Sequence, residues 1–199
     1  MRRAGAIVLA ASLLAAACGG GEPPSVAPVS GEPMDLRHAK TFSVVELDGH
    51  HVVDIEASVV AWGGSAGGPP QRARLVLVPR DAAPPALKGE LADATLIRTP
   101  VERIAVNDQP HEAMVRALGL ADRLVAVGGH SSYDDAIRAR VRNGEVHQIG
   151  YGWHQPPTLD ALVAAKPDVF LARMADLTHT RHRERIQSLG IAVVPVFMD

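Results

Sequence analysis

The sequence predicts an α/β fold, a parallel sheet with helices on both faces, preceded by a small antiparallel β platform. Two observations point to it. Residues 103–199 alternate between short apolar runs and amphipathic segments, which is typical of strands joined by helices. Earlier in the chain, two β-rich runs flank Asp48-Gly49, and D-G between alternating hydrophobics is a strong hairpin signal. With 199 residues, of which 47% are hydrophobic, the chain can bury one core of ordinary domain size.

The platform is predicted over residues 38–100. The hairpin occupies KTFSVVELDGHHVVDIEASVVAW, residues 74–78 (RLVLV) read as a third strand, and residues 94–98 resume the β pattern. Proline residues separate these runs, since proline ends a strand or starts a turn. We expect this antiparallel unit to lead into the main sheet.

The main α/β domain is predicted over residues 101–199. Its strands are expected at 104–106, 124–127, 168–172 and 191–197, and its helices near 110–118, 134–143, 158–166 and 177–189. In the first helix, Met114, Ala117 and Leu118 share one face, which predicts that this face is buried. Strands alternating with helices imply right-handed crossovers, and ligands of such sheets bind at the carboxyl ends of the strands.

The N-terminus has the layout of an export signal. Arg2 and Arg3 precede an apolar run that is too short to span a bilayer, and small residues lead to Cys18. These residues resemble a bacterial lipobox, so residues 1–18 are interpreted as a lipoprotein signal peptide with a lipidated Cys18. The alternative is a plain cleaved signal followed by an unmodified cysteine. Residues 19–37, rich in Gly, Pro and Ser, are interpreted as a flexible tether.

Charge excludes one class of partner. The formal net charge is -2, and basic residues are mixed with acidic ones instead of forming a stripe, so nucleic acid is not expected to bind. A short basic run, HTRHRER, includes His179 and His182 at a spacing that places both on one helix face. No acidic or thiolate partner accompanies them, so a solvated basic face is favoured over a metal site.

Candidate binding residues lie in the loops expected at the carboxyl ends of the strands and before the third helix. These loops combine flat apolar surface with hydrogen-bonding groups, a mixture suited to a large polar chelate or macrocycle. The alternative for each residue is an ordinary loop position. The candidates are His111, His130, Tyr133, Tyr151, Trp153, His154 and Met174.

Residues 38–199 resemble a known family, most clearly in RIAVNDQPHEAMVRALGLADRLVAVG and in the pattern L-x-x-L-x-x-x-K-P-D at 159–168. The resemblance is to the first lobe of the iron-complex/cobalamin type periplasmic substrate-binding proteins of ABC importers. It implies a single lobe of a two-lobe protein joined by a helical backbone. It also implies capture of a small-molecule metal chelate, such as an iron chelate, haem or cobalamin, for delivery to an importer permease. The protein would then be no enzyme and would need no cofactor of its own.

The resemblance also bears on Asp160 and on location. In the family an acid at this position docks onto basic residues of the permease, whereas a carboxylate in a helix's first turn is also stabilised by the helix dipole, so both explanations stay open. An exported lipoprotein would sit in the periplasm or on the outer face of the cytoplasmic membrane, held by its lipid. The sequence ends at Asp199, where the family's linking helix and second lobe would begin, so a fragment, a truncated product and a half that works with a partner all remain possible readings.

Two rival functions remain. One is a stand-alone periplasmic metal or haem carrier that uses His111, Tyr151 and His154 as ligands. The other is a hydrolase, since residues 63–67 match G-x-S-x-G; that motif needs a strand before the serine and a helix after it. Here Gly68-Pro69-Pro70 follows, so we do not expect an enzyme.

Overall fold

A computed structural model describes residues 28–57, 70–129, 132–150, 156–174 and 178–197. It contains two five-stranded sheets. One is parallel and carries helices, and the other precedes it in the chain and is mostly antiparallel. The predicted fold class is confirmed.

The first sheet, called the platform, has strands in sequence order. They are β1 (Glu32–Pro33), β2 (Phe42–Leu47), β3 (His50–Ala57), β4 (Gln71–Pro79) and β5 (Thr95–Thr99). The predicted turn at Asp48-Gly49 joins β2 to β3, and both residues have positive φ, 51° and 76°. The last pair, β4 with β5, is parallel. This departs from the antiparallel prediction because the 15-residue connection, which includes the turn Gly89–Leu91, returns the chain to the same end of the sheet before β5 begins.

The described part of the predicted tether is folded onto the platform. Val29 is 8% exposed and packs in a cluster with Val52 and Val76. Ser30 donates from its backbone N and its Oγ to the carboxylate of Glu90, at 3.1 and 3.2 Å. The folded unit therefore begins before residue 38, because Val29 is buried, Ser30 is bonded to Glu90, and Glu32–Pro33 pair with the open edge of β2.

The second sheet is entirely parallel, in the order β10-β9-β6-β7-β8. Its elements along the chain are β6 (Ile104–Val106), α1 (Gln109–Ala117), β7 (Leu124–Val127), α2 (Asp135–Arg142), β8 (His147–Gln148), α3 (Leu159–Ala165), β9 (Val169–Met174), α4 (Thr178–Gln187) and β10 (Ala192–Phe197). Right-handed crossovers place α1 and α2 on one face and α3 and α4 on the other, since the strand order reverses after β8. Each helix pair packs in its own apolar cluster, as this topology requires.

One apolar core joins the two sheets. Leu75 and Ile97 of the platform share a cluster with Val106 and Val169 of the parallel sheet and with Val115 of α1. α1 and α2 cover only part of one face of the parallel sheet. The platform covers the rest of that face, over β9 and β10. Each fully buried aliphatic side chain contributes about 1.5–3 kcal/mol relative to exposure, so this shared core stabilises the packing of the two sheets against each other.

The predicted apolar face of α1 is wrong. Met114 and Leu118 are 56% and 73% exposed, whereas His111, Glu112 and Val115 are buried. The helix is turned so that its polar first turn faces the sheet. The helical spacing correctly grouped Met114, Ala117 and Leu118 on one face of α1. Polar contacts with residues distant in sequence decide which face of the helix packs against the sheet.

Asp168, the last residue of the L-x-x-L-x-x-x-K-P-D pattern, fastens the linker between the sheets. Its Oδ2 accepts hydrogen bonds from the backbone N of Glu102 and Arg103, at 2.8 and 3.0 Å, and from Nη2 of Arg80, at 2.7 Å. Lys166 ends α3 in the left-handed conformation, with φ 45°. Its carbonyl accepts from Nε of Arg103 at 2.8 Å. The part of the sequence that most resembles the family therefore has a structural role.

We predict that Asp168→Ala lowers the free energy of unfolding by about 2–3 kcal/mol, because three donors lose a charged acceptor. Urea unfolding followed by circular dichroism measures the change. Asp122→Ala, at an exposed carboxylate outside this network, is the matched control and should cost less than about 0.5 kcal/mol. Equal losses in the two variants would show that the network does not hold the linker.

Candidate functional site

The order of the strands in the parallel sheet determines where a binding crevice is expected. The chain passes from β6 to β7 on one side of the sheet, whereas β9 lies on the other side of β6. All five strands are parallel, so their carboxyl ends share one edge. At such a reversal the two loops leave in opposite directions, and a crevice opens between the carboxyl ends of β6 and β9.

Two contacts cross this crevice. The side-chain Oδ1 of Asn107, directly after β6, accepts from the backbone N of Arg173 in β9 at 2.9 Å. Nη1 of Arg173 lies 3.3 Å from Oδ2 of Asp108. Asn107 and Asp108 are 7% and 3% exposed, so both contacts are largely shielded from water. They fix the loop after β6 relative to the carboxyl-terminal end of β9.

Asp108 also organises the start of α1. It is the N-cap of the helix, and its Oδ1 accepts from the backbone N of His111 at 3.2 Å. Nδ1 of His111 lies 2.9 Å from the same oxygen, a close electrostatic contact without the alignment of a good hydrogen bond. Burial alone would raise the pKa of Asp108, but the contacts with His111 and Arg173 outweigh it and hold that pKa below its usual value. Arg173, which is partly exposed, and the buried Asp108 and His111 therefore form one polar chain.

Glu112 connects α1 to the loop that follows β7. Its Oε1 accepts from Oγ of Ser132, which in turn accepts from the backbone N of Asp134, the N-cap of α2, at 2.9 Å. Glu112 is 4% exposed, and its Oε2 has no hydrogen-bond partner. Burial raises the pKa of Glu112 above its usual value.

The loops after β7 and β8 also meet at this edge. A Cβ on Gly128 would lie 2.1 Å from the carbonyl oxygen of Asn107, so only glycine permits this approach of the two loops. The backbone N of Gly129 donates to the carbonyl of Gly150 at 2.6 Å. The loops that follow β6, β7 and β8 thus meet the carboxyl-terminal end of β9 at one edge of the sheet.

The predicted binding residues have different environments. Tyr133 is 84% exposed beside the N-terminus of α2, while His111 is 1% exposed and does not reach the surface as placed. Met174 is the last residue of β9, at the same edge. Asp160 is exposed in the first turn of α3, which follows β8 and so starts at this edge too. Outside the described residues lie Cys18, His130, Tyr151, Trp153, His154 and the G-x-S-x-G segment at 63–67.

Sequence reasoning missed most of the buried polar residues. Asp108 had a recognisable signal, since an aspartate two residues before a proline at a helix start is a typical N-cap. The pairing of Asn107 with Arg173 spans 66 positions and has no local signal. Within the described ranges, no group of three His, Cys, Asp or Glu side chains is arranged to hold a metal ion. No helix in those ranges is long and apolar enough to cross a membrane.

We predict that Glu112→Gln stabilises the protein increasingly as the pH rises above the ordinary glutamate pKa of 4.5. A carboxyl whose pKa is raised by folding binds its proton more tightly in the folded state, so stability falls as the pH rises through the interval between its unfolded and folded pKa values. Glutamine keeps the acceptor for Ser132 and cannot ionise.

Urea unfolding of both proteins from pH 4 to pH 8 measures this difference. Glu46→Gln, at an exposed glutamate of β2, is the control and should leave the pH dependence unchanged. A stability difference between wild type and Glu112→Gln that stays constant over this range would contradict the buried, raised-pKa carboxyl.

Comparisons with known proteins give partial structural similarity. No protein-family model matches the sequence, and no curated protein matches it significantly. A solute-binding protein of an ABC transporter from Sulfurospirillum deleyianum is 21% identical over 51% of this chain and 33% of its own, with a TM-score of 0.40. A periplasmic haem-binding protein from Pseudomonas aeruginosa is 16% identical over 49% and 32%, with a TM-score of 0.39. The periplasmic vitamin B12 binding protein of Vibrio cholerae is 25% identical over 48% and 34%, with a TM-score of 0.36. The chain is thus similar, over about half of its own length and a third of theirs, to periplasmic binding proteins.

Proposed function

We propose that the chain is a ligand-binding lobe of a substrate-binding lipoprotein that serves an ABC importer. Its ligand would be an iron chelate, haem or a cobalamin-like molecule. The observation that carries the proposal is that the loops after β6, β7 and β8 meet the end of β9 at the carboxyl edge of the parallel sheet, around the crevice between β6 and β9. In open α/β sheets this crevice is where ligands bind.

The polar chain supports binding by holding the loops in place before ligand arrives. Asn107 and Asp108 tie the β6 loop to Arg173, and Glu112 ties the β7 loop to α1 through Ser132. A site whose supporting contacts are already made loses less entropy on binding. The ligand itself would contact residues at the rim of the crevice, here meaning Tyr133 and the segment with Tyr151, Trp153 and His154.

The predicted rim suits a large, flat chelate. Tyr133 projects from this edge, and the segment holding Tyr151, Trp153 and His154 follows Gly150, which is bonded into the same edge. Aromatic faces would cover the apolar part of a macrocycle, and imidazole and phenol groups would bond its polar part or its metal. His111 is buried, so it would support the site indirectly, through its contacts with Asp108 and the contact of Asp108 with Arg173.

Delivery would use the same edge. Asp160 is exposed at the start of α3, where a permease with basic residues could reach it, and a lipid on Cys18 would keep the lobe near the membrane. One lobe covers a ligand from one side only. Enclosure of the ligand would therefore require a second surface, supplied by further chain or by a partner.

The proposal is tested by titrating the full chain with haemin, cyanocobalamin and ferrichrome, followed by tryptophan fluorescence. We expect one of the three to bind with a Kd of about 1 µM or tighter, and His154→Ala to weaken that binding about tenfold. His147→Ala, at the neighbouring histidine of β8, is the matched control and should have no effect.

The proposal would be contradicted if each of the three chelates had a Kd above about 100 µM. It would also be contradicted if His154→Ala and His147→Ala had equal effects on binding. Free Fe³⁺ or Zn²⁺ is titrated in parallel. Tight binding of a bare metal ion with no binding of the chelates would instead support the stand-alone metal carrier.

A further inference from the structure

A cavity of about 360 Å³ is lined by residues that lie outside the carboxyl-edge loops. The platform lines one side of it, and Arg183 and Gln187 of α4 and Val193 of β10 line the other. These three residues come from the C-terminal half of α4 and the start of β10, which is the amino edge of the parallel sheet. The cavity is therefore separate from the crevice at the carboxyl edge.

Most of the charged groups around this cavity are already paired. Asp54 accepts two hydrogen bonds from Arg74, at 2.5 and 2.8 Å, and Glu56 lies 3.1 Å from Arg72. Glu90 is held by Ser30. Ile55, Ala73 and Val193 add apolar surface to the same lining. The cavity is thus a partly apolar space with a rigid polar wall.

Arg183 is the exception among the cations. Its Nη1 makes one long hydrogen bond, 3.3 Å, to the carbonyl of Arg72, and its Nε is buried with no hydrogen-bond partner. Within the described ranges, no carboxylate lies at ion-pair distance from it. Burial lowers the pKa of Arg183 from its usual value, and the nearby negative charge of Glu184 offsets only part of this effect.

Asp93 is the exception among the acids. It lines the cavity, is exposed, and makes no hydrogen bond or ion pair with another described side chain. The lining therefore offers one guanidinium without a carboxylate partner, Arg183, and one carboxylate without a hydrogen-bond partner among the described side chains, Asp93. Thr95 and Gln187 are bonded to each other between the platform and α4 at 3.0 Å.

We propose that this cavity binds a small zwitterion of the α-amino acid class with an apolar side chain. The ligand's carboxylate pairs with the guanidinium of Arg183, its ammonium group is attracted by Asp93, and its side chain lies against Ile55 and Val193. A bare anion would face four carboxylates in the lining, and a bare cation would leave Arg183 unpaired. A ligand with both charges satisfies both groups.

Calorimetric titration of the full chain with three matched probes tests this proposal. They are L-leucine, 4-methylpentanoate, which lacks the amino group, and 3-methylbutylamine, which lacks the carboxylate. We expect L-leucine to bind at least about tenfold more tightly than either analogue, since each analogue leaves one charged group unpaired.

Variants locate the site. Arg183→Gln and, separately, Asp93→Asn should each weaken L-leucine binding about tenfold or more, whereas Arg185→Gln, at an exposed arginine of the same helix, should not. Asp93 is exposed, so its variant keeps the test valid if Arg183→Gln folds poorly. The proposal is overturned if L-leucine does not bind at about 10 mM, if an analogue binds equally well, or if the three variants behave alike.

Discussion

The parallel order of the second sheet is the constraint on which the site depends. Parallel neighbours need a crossover, so each of the four connections carries a helix, and the loop before each helix starts at the same edge. The reversal at β6 then opens a crevice at that edge. Asn107 and Asp108 on one side and Arg173 on the other are drawn together there by topology, although they are far apart in sequence.

The motif that carries the family resemblance and the residues at the crevice differ in the contacts that they make. Asp168 holds the linker between the sheets, and Lys166 ends α3, so the K-P-D segment stabilises the fold. The buried groups of the crevice also join structural elements, but some of their polar atoms are left without hydrogen-bond partners. Glu112 and His111 each leave a buried acceptor or nitrogen without a partner, which costs free energy and is typical of functional regions.

The fold could be predicted further than the site. Apolar runs such as 124–127 predicted the strands because buried parallel strands are almost wholly apolar, and D-G predicted the hairpin because its φ values are positive. Three features had no local signal: β8 has only two residues, the β4–β5 pair is parallel, and Val29 packs onto the platform. The facing of α1 was mispredicted because its capping aspartate is tied to Arg173, 65 positions away. Long-range polar pairs of this kind decide a site, and no periodicity encodes them.

Ligand binding at the carboxyl edge can be tested by backbone amide hydrogen exchange of the full chain. The exchange is measured without ligand and with whichever of haemin, cyanocobalamin and ferrichrome binds most tightly. We expect the ligand to slow exchange in the segments that follow β6, β7, β8 and β9, at the carboxyl edge, and to leave the starts of β9 and β10, at the amino edge, unchanged. Slowed exchange confined to the amino edge or to the platform would contradict this expectation, because the ligand would then bind away from the crevice between β6 and β9.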